Sequence, residues 1–217
     1  MLIRENIQEF YCKIKGFHLK NRPIKNIYLN KLEEYKIEDE LKNHMLRVSK
    51  YAELLADLIC LDKDKIAQIK KGALLHDLGK IRIDEKILNK PISLTLEEFI
   101  LMKEHSKLGL KVLKKKDEGN IVENIILLHH EKWNGTGYPF GLKGHSIPVE
   151  ARIVAIADCY DTLTSDRIYK SKLSHEKALE ILKNESGKSF DPDIISMLEI
   201  FENKFKKLSE KLYENQR

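Results

Sequence analysis

Apolar residues recur at three- and four-residue steps along almost all of the 217 residues, and no run alternates with period two for long. That spacing gives each segment one apolar helical stripe and leaves no strand with a half-buried face. The expected fold class is therefore all-α. A helix predicted from about Glu38 to Cys60 carries Leu41, His44, Val48, Tyr51 and Leu55 on one stripe. The next, with Asp62 as its N-cap, carries Ile66, Ile69, Ala73 and His76, and is expected to end at Gly79 in a left-handed cap. Thr95 and Glu98 read as a capping box for a helix whose face holds Leu101, His105, Leu108 and Val112. Asn120 to Trp133 puts Val122, Ile126, His129 and Trp133 in register. Helices from Pro148 to about Thr164, Ser174 to Asn184 and Asp191 to about Leu212 complete the bundle. Between them, Asn134 to Ser146 holds four glycines and one proline, a long loop of the kind that is functional or disordered.

Two shorter periodic segments, Leu2 to Lys15 and Ile24 to Tyr35, are separated by Asn21-Arg22-Pro23. Residues 1–37 are expected to form a helical N-terminal extension, and residues 38–217 the main domain. Charged residues make up 34% of the chain and no long uncharged apolar run interrupts them, so no membrane span is expected. Met1 to Lys20 lacks the apolar core of a signal peptide. Cys12, Cys60 and Cys159 are too far apart for a zinc-type pair or an obvious disulfide framework, and a reducing cytoplasm is the simple expectation. The net charge is +5, but the lysines are spread along the chain without interleaved aromatics. They read as solvated helix faces rather than a nucleic-acid surface. A basic balance still draws in a small anionic substrate.

Five of the eight histidines fall on or beside these apolar faces. A single histidine there is more often a hydrogen-bonded core residue than a ligand. The pair His76-Asp77 is harder to place that way. It closes the apolar run Ala73-Leu74-Leu75, and a buried unpaired carboxylate is expensive. Asp158 poses the same problem inside Ile153-Val154-Ala155-Ile156-Ala157. With His44, His105, His129 and His130 these residues form a nitrogen and oxygen donor set that suits two or more transition-metal ions. His129 and His130 are adjacent, so on a helix they point about 100° apart and serve two ions, or one ion and a supporting contact. Gly109, one turn after His105, is expected to leave open space beside it. Such a set points to metal-assisted hydrolysis of a phosphate ester.

His44, His76-Asp77 and Asp158, in that order, resemble the metal-dependent phosphohydrolases of the HD superfamily. Further segments narrow the resemblance to its HD-GYP family. They are Leu75 to Lys80, His105-Ser106-Lys107-Leu108-Gly109, His129-His130-Glu131, Asn134-Gly135-Thr136-Gly137-Tyr138-Pro139 and Ala157 to Arg167. The likeness spans roughly residues 38 to 203. It departs at Asn134, at Arg82 and Asp84, and at Ile168-Tyr169-Lys170, none of them a presumed metal ligand. The resemblance implies an HD-superfamily helical bundle holding two divalent ions bridged by Asp77. The ligands it implies are His44, His76, Asp77, His105, His129, His130 and Asp158. Glu40, one turn before His44, is either a ligand to a third ion or a helix-start carboxylate favoured by the macrodipole.

The implied activity is hydrolysis of cyclic di-GMP to linear pGpG, and onward to GMP, by a hydroxide held between metals. Iron and manganese suit the ligand set equally. Lys80 is expected to stabilise developing charge, and Arg167 and Lys170 to hold substrate phosphate or base. The loop of Gly137, Tyr138 and Pro139 is expected to wall the pocket, with Tyr138 stacking on guanine or packing the loop. An HD phosphohydrolase of another nucleotide, such as cyclic GMP-AMP, and a silent nucleotide- or partner-binding domain stay open as alternatives. So do a homodimer and a signalling-protein partner.

Overall fold

In a computed structural model the described residues are 37–113, 119–165 and 172–214. The expected N-terminal helices, Arg167 and Lys170 lie outside them. The described residues form ten α-helices and no strand, so the all-α expectation holds. The first two helices are α1 (Asp39–Leu58) and α2 (Lys63–Leu75). The side chain of Asp62 accepts from the Lys65 N–H and caps α2 as expected. A 3-10 turn over Leu78–Arg82 and a single turn, α3 (Glu85–Leu88), lead to α4 (Leu96–Lys103). Next come α5 (His105–Val112), α6 (Asn120–Leu128) and α7 (Val149–Thr164). The chain finishes with α8 (His175–Asn184), α9 (Pro192–Ile200) and α10 (Glu202–Glu214).

Two apolar clusters hold these helices. One gathers α1, α2, α6, α7, α8, α9 and α10 around Tyr51, Leu55, Ile69, Tyr160 and Phe205. The other joins α1, α2, α5 and α6 around Met45, Leu75, Leu78, Val122 and Ile126. A fully buried aliphatic side chain contributes roughly 1.5–3 kcal/mol. Three helices, α1, α2 and α6, are shared by both clusters and are therefore the most firmly held; α1 carries His44, α2 leads into His76 and α6 into His129.

The structure corrects several boundaries. Gly79 is not a left-handed cap. It is buried in the 3-10 turn, and a Cβ there would sit 1.8 Å from the His105 carbonyl oxygen and 2.5 Å from the Gly109 nitrogen. The glycine is needed because the backbone of α5 lies directly against it. Gly109 accordingly opens no space beside His105; Gly79 and Ile126 fill it. The stripe from Leu101 to Val112 is broken at Glu104, whose N–H tightens onto the Leu101 and Met102 carbonyls. His105 and Val112 are buried while Leu101 is exposed. The Thr95–Glu98 capping box does form.

Helix α6 stops at Leu128, short of Trp133, whose N–H donates to the Ser189 carbonyl between α8 and α9. The last expected helix is two, divided at Phe201. Cys159 is free, and Cys12 lies outside the described residues. Among the described residues no helix is long and apolar enough to cross a membrane.

The two glycine contacts differ in a testable way. A methyl group at Gly79 meets backbone, which cannot swing aside, whereas at Gly109 its nearest neighbour is the Ile126 side chain at 2.6 Å. Overpacking usually costs about 1–3 kcal/mol. Gly79→Ala is expected to lie at or beyond the top of that range and Gly109→Ala below it. Thermal unfolding of both variants measures this, and equal melting temperatures for wild type and Gly79→Ala would rule out the close approach.

Candidate metal centre

Three of the histidines are delivered by helix ends. The last carbonyls of a helix have no partner within it. His76 follows α2, and its Nδ1 lies 2.7 Å from the Ala73 carbonyl. His105 follows α4, with Nδ1 2.7 Å from the Met102 carbonyl. His129 follows α6, with Nδ1 2.9 Å from the Ile125 carbonyl. A carbonyl only accepts, so each Nδ1 donates its hydrogen and each Nε2 is left with its lone pair. His44 is presented from the first half of α1 and Asp158 from the middle of α7, two helices packed against each other.

All these groups converge on Asp77, which is 2% exposed. Its two oxygens face different sets of imidazoles. Oδ2 lies 3.4 Å from His76 Nε2 and 3.7 Å from His44 Nε2. Oδ1 lies 3.4 Å from His105 Nε2 and 4.0 Å from His129 Nε2. Two donor groups result, His44/His76/Asp77 and Asp77/His105/His129/His130, each with its atoms within 4.8 Å of one another. Asp158 Oδ1 closes on the first, 3.2 Å from His44 Nε2 and 3.9 Å from His76 Nε2. His105 and His129 point their Nε2 atoms at each other, 3.4 Å apart.

The donor set fits divalent ions. Ligand atoms about 2.0–2.2 Å from one ion lie about 3–3.5 Å from each other, close to the separations here. Asp77 Oδ1 and His76 Nε2 are buried and have no hydrogen-bond partner. Orphaned polar atoms at the middle of a ligand cluster are what a bound cation would satisfy.

The electrostatics divide the cluster. Burial would raise the Asp77 carboxyl, but the Lys80 ammonium and the His76 ring hold it well below the usual carboxylate range. Lys80 Nζ donates to Asp77 Oδ2 at 2.5 Å. Burial, reinforced by the neighbouring His105, pushes His130 down to about 3, and His105 and His129 are lowered as well. Those three rings stay neutral at neutral pH, the form that binds a metal. For His44, burial is outweighed by Asp158 and Asp161, which raise it to about 9. Asp158 is lowered, since its hydrogen bond and charge pairing with His44 overcome burial.

The sequence reading named seven principal ligand candidates, and the structure brings their side chains together. That reading left open whether His129 and His130 serve different ions; both join the group on Oδ1. Glu40 is exposed in the first turn of α1 and belongs to neither donor group, in keeping with its reading as a helix-start carboxylate. Tyr138 stacks on the His130 ring, with centroids 4.7 Å apart and planes 28° apart. A Cβ at Gly137 would lie 2.3 Å from the Lys132 nitrogen, so the glycine lets the loop close onto that segment. The Tyr138–Pro139 bond is cis.

Two contributors went unread. The buried Glu131 carboxylate accepts from the Phe140 and Leu142 N–H groups and ties the loop down. Asp161, fully buried, binds both His44 and Arg47. A signal for the latter was present: His44 and Arg47 on one helix, Asp158 and Asp161 on another, each pair three residues apart and so on one face.

Comparison with known proteins agrees with this arrangement. A family model described as HD domain matches residues 30–194, and the chain belongs to that family. Over 190 residues it is 40% identical to a probable cyclic di-GMP phosphodiesterase of Vibrio cholerae serotype O1, covering 80% of this chain and 43% of that protein. It is 38% identical over 157 residues to a 3'3'-cGAMP-specific phosphodiesterase 2 of the same organism, covering 71% of this chain and 30% of that one. The chain thus spans less than half the length of either relative. Among solved structures, an HDG"Y"P protein from Bdellovibrio bacteriovorus is similar at a TM-score of 0.61 and 25% identity, over 90% of this chain and 62% of that one. The resemblance to the HD-GYP family is thereby borne out.

If Asp77 is shared between two ions, Asp77→Asn removes the charge that both require. The variant is expected to lose most bound metal. Added manganese is expected to raise the melting temperature of the wild type and not of the variant, because a ligand stabilises the state it binds. Elemental analysis and a thermal scan with and without manganese read both effects. Wild-type metal content in the variant would contradict the shared role.

Proposed function

We propose that this domain is a metal-dependent phosphodiesterase that opens cyclic di-GMP to linear pGpG and carries it on to GMP. The observation that carries this reading is the divided use of Asp77, one oxygen facing His44 and His76, the other His105 and His129. His44, His76, Asp77 and Asp158 would hold one ion, and Asp77, His105, His129 and His130 the other. Bound divalent cations supply charge neutralisation for the phosphoryl oxygens and lower the pKa of water. A donor set of imidazoles and carboxylates without thiolate supports iron or manganese.

The chain's own residues supply the rest. Lys80 is within hydrogen-bond reach of the shared carboxylate, so its ammonium can turn to a phosphoryl oxygen lying over the same point. Tyr138 covers His130, with the Lys103 ammonium 5.3 Å from its ring centre, and together they put a cation and an aromatic face at one wall. Gly137 and Pro139 shape that wall. Arg167 and Lys170 are assigned to substrate phosphate or base on the family resemblance, and a cytoplasmic location belongs to the same reading. The relative that acts on cyclic di-GMP supports the choice of substrate, and the one specific for 3'3'-cGAMP supplies the competitor to test.

The test uses protein purified anaerobically and loaded with iron(II) or manganese(II). It is offered cyclic di-GMP, 3'3'-cGAMP and a nitrophenyl phosphodiester, and products are separated by chromatography. Cyclic di-GMP is expected to be consumed fastest, with pGpG appearing first. Faster use of 3'3'-cGAMP would move the assignment to that substrate, and no turnover of either by fully loaded protein would overturn it. Lys80→Ala is expected to keep its metal and to lower kcat by about 10²-fold, the size of effect seen when one donor to a developing oxyanion is removed. Normal kcat would reduce Lys80 to a partner of Asp77.

A further inference from the structure

His44 is held differently from the three histidines at helix ends. Their Nδ1 atoms meet backbone carbonyls. The Nδ1 of His44 meets a carboxylate, Asp161 Oδ2, at 2.8 Å. Asp161 is fully buried on α7, one turn beyond Asp158. Arg47, one turn beyond His44 on α1, grips it with two bonds: Nε to Oδ1 at 2.7 Å and Nη2 to Oδ2 at 3.0 Å. The guanidinium is itself held against the ring of Tyr213 on α10, 5.3 Å from its centre.

We infer that Asp161 is a positioning residue for one half of the metal centre: clamped by Arg47, it holds His44 with Nδ1 as the donor and Nε2 turned toward Asp77 and Asp158. An ionised carboxylate has no hydrogen to give, so the shared hydrogen belongs to the imidazole. The two-bonded fork of Arg47 fixes the carboxylate's rotamer as well as its charge. The ring therefore has one orientation in which both nitrogens are satisfied, and in it Nε2 lies 3.2 Å from Asp158 Oδ1 and 3.7 Å from Asp77 Oδ2. A carboxylate behind a ligand imidazole fixes its tautomer and usually matters 10–100-fold to metal affinity. On the other half of the centre, His105 and His129 have backbone carbonyls in that place. Asp161 should therefore act on one ion and not on both. The inference rests on the metal centre proposed above and is independent of the substrate.

Zinc is the probe, since it takes imidazole and carboxylate ligands and is silent in nuclear magnetic resonance. The full chain, freed of metal, is titrated with zinc by calorimetry. Wild type is expected to bind in two steps. Asp161→Asn is expected to weaken one step by about 10–100-fold and leave the other unchanged. That variant takes the carboxylate charge from beside the buried Arg47 and is prone to misfold, so Arg47→Met/Asp161→Asn, which removes both charges, is titrated beside it. Long-range proton–nitrogen spectra of zinc-loaded wild type read His44 directly, and a hydrogen on Nδ1 with Nε2 bound to zinc is expected.

Zinc on His44 Nδ1, unchanged affinity in a folded variant, or equal weakening of both steps would each overturn the inference, the last by marking Asp161 as a general packing residue. Wild type that binds no zinc would instead sink the metal centre on which the inference stands.

Discussion

The structure is organised around a charge that ought not to be where it is. Asp77 is buried at the end of a helix whose preceding residues are apolar. Removing an ionised carboxylate from water costs several kcal/mol unless partners repay it. Here the partners come from five directions: Lys80 from the following turn, His76 from the residue before, His44 from α1, His105 from α5 and His129 from the end of α6. One of its oxygens still has no hydrogen-bond partner. A fold that gathers this many imidazoles round a carboxylate and leaves an atom unsatisfied is suited to a cation.

Helix ends make the gathering possible. A helix that stops must find acceptors' partners for its last carbonyls. A histidine placed just past the end donates to one of them, and the same bond aims its other nitrogen away from the helix. The bundle does this three times, at α2, α4 and α6. The ends can meet only if the backbones come close, which is why Gly79 lies against His105 and Gly109. Packing and ligand geometry are thus one constraint. The break at Glu104 lies next to this contact, one residue before His105, whose carbonyl meets Gly79.

The sequence was legible where a signal repeats. The Asp62 cap, the Thr95–Glu98 box and most helical stripes rest on spacing, and the structure keeps them; the ligand candidates rested on donor chemistry and the family resemblance, and the structure brings them together. What was lost depends on contacts between elements. Gly79 looked like a cap because glycine after a helix usually is one, and nothing local distinguishes that use from close approach by a distant backbone. The Leu101–Val112 stripe fitted one helix because periodicity is blind to a bend that preserves register on one side only. Asp161 and Arg47 were passed over because each, taken alone, is a charged residue on an amphipathic helix; their meaning appears when α1 and α7 face each other. Glu40 shows how position on a helix decides such a reading: Ile37 and Leu41 on either side of it reach the core, while Glu40 itself is exposed.

The Gly-Tyr-Pro loop completes the unit rather than decorating it. Three of its fastenings go to the two residues that follow His129. The Tyr138 N–H donates to the His130 carbonyl, the Tyr138 ring stacks on the His130 imidazole, and the Glu131 carboxylate receives the Phe140 and Leu142 N–H groups. Two further backbone bonds, from Trp133 and Asn134 to the segment between α8 and α9, fix the near end. A loop of this length with so many glycines would ordinarily carry a high conformational entropy. Fastened in this way, it cannot shift without moving His130, which ties the loop's shape to the position of one of the candidate ligands. On the function proposed above, a substrate pressing on the loop would press on that cluster, and recognition of the nucleotide and the geometry of the ions would share one set of contacts.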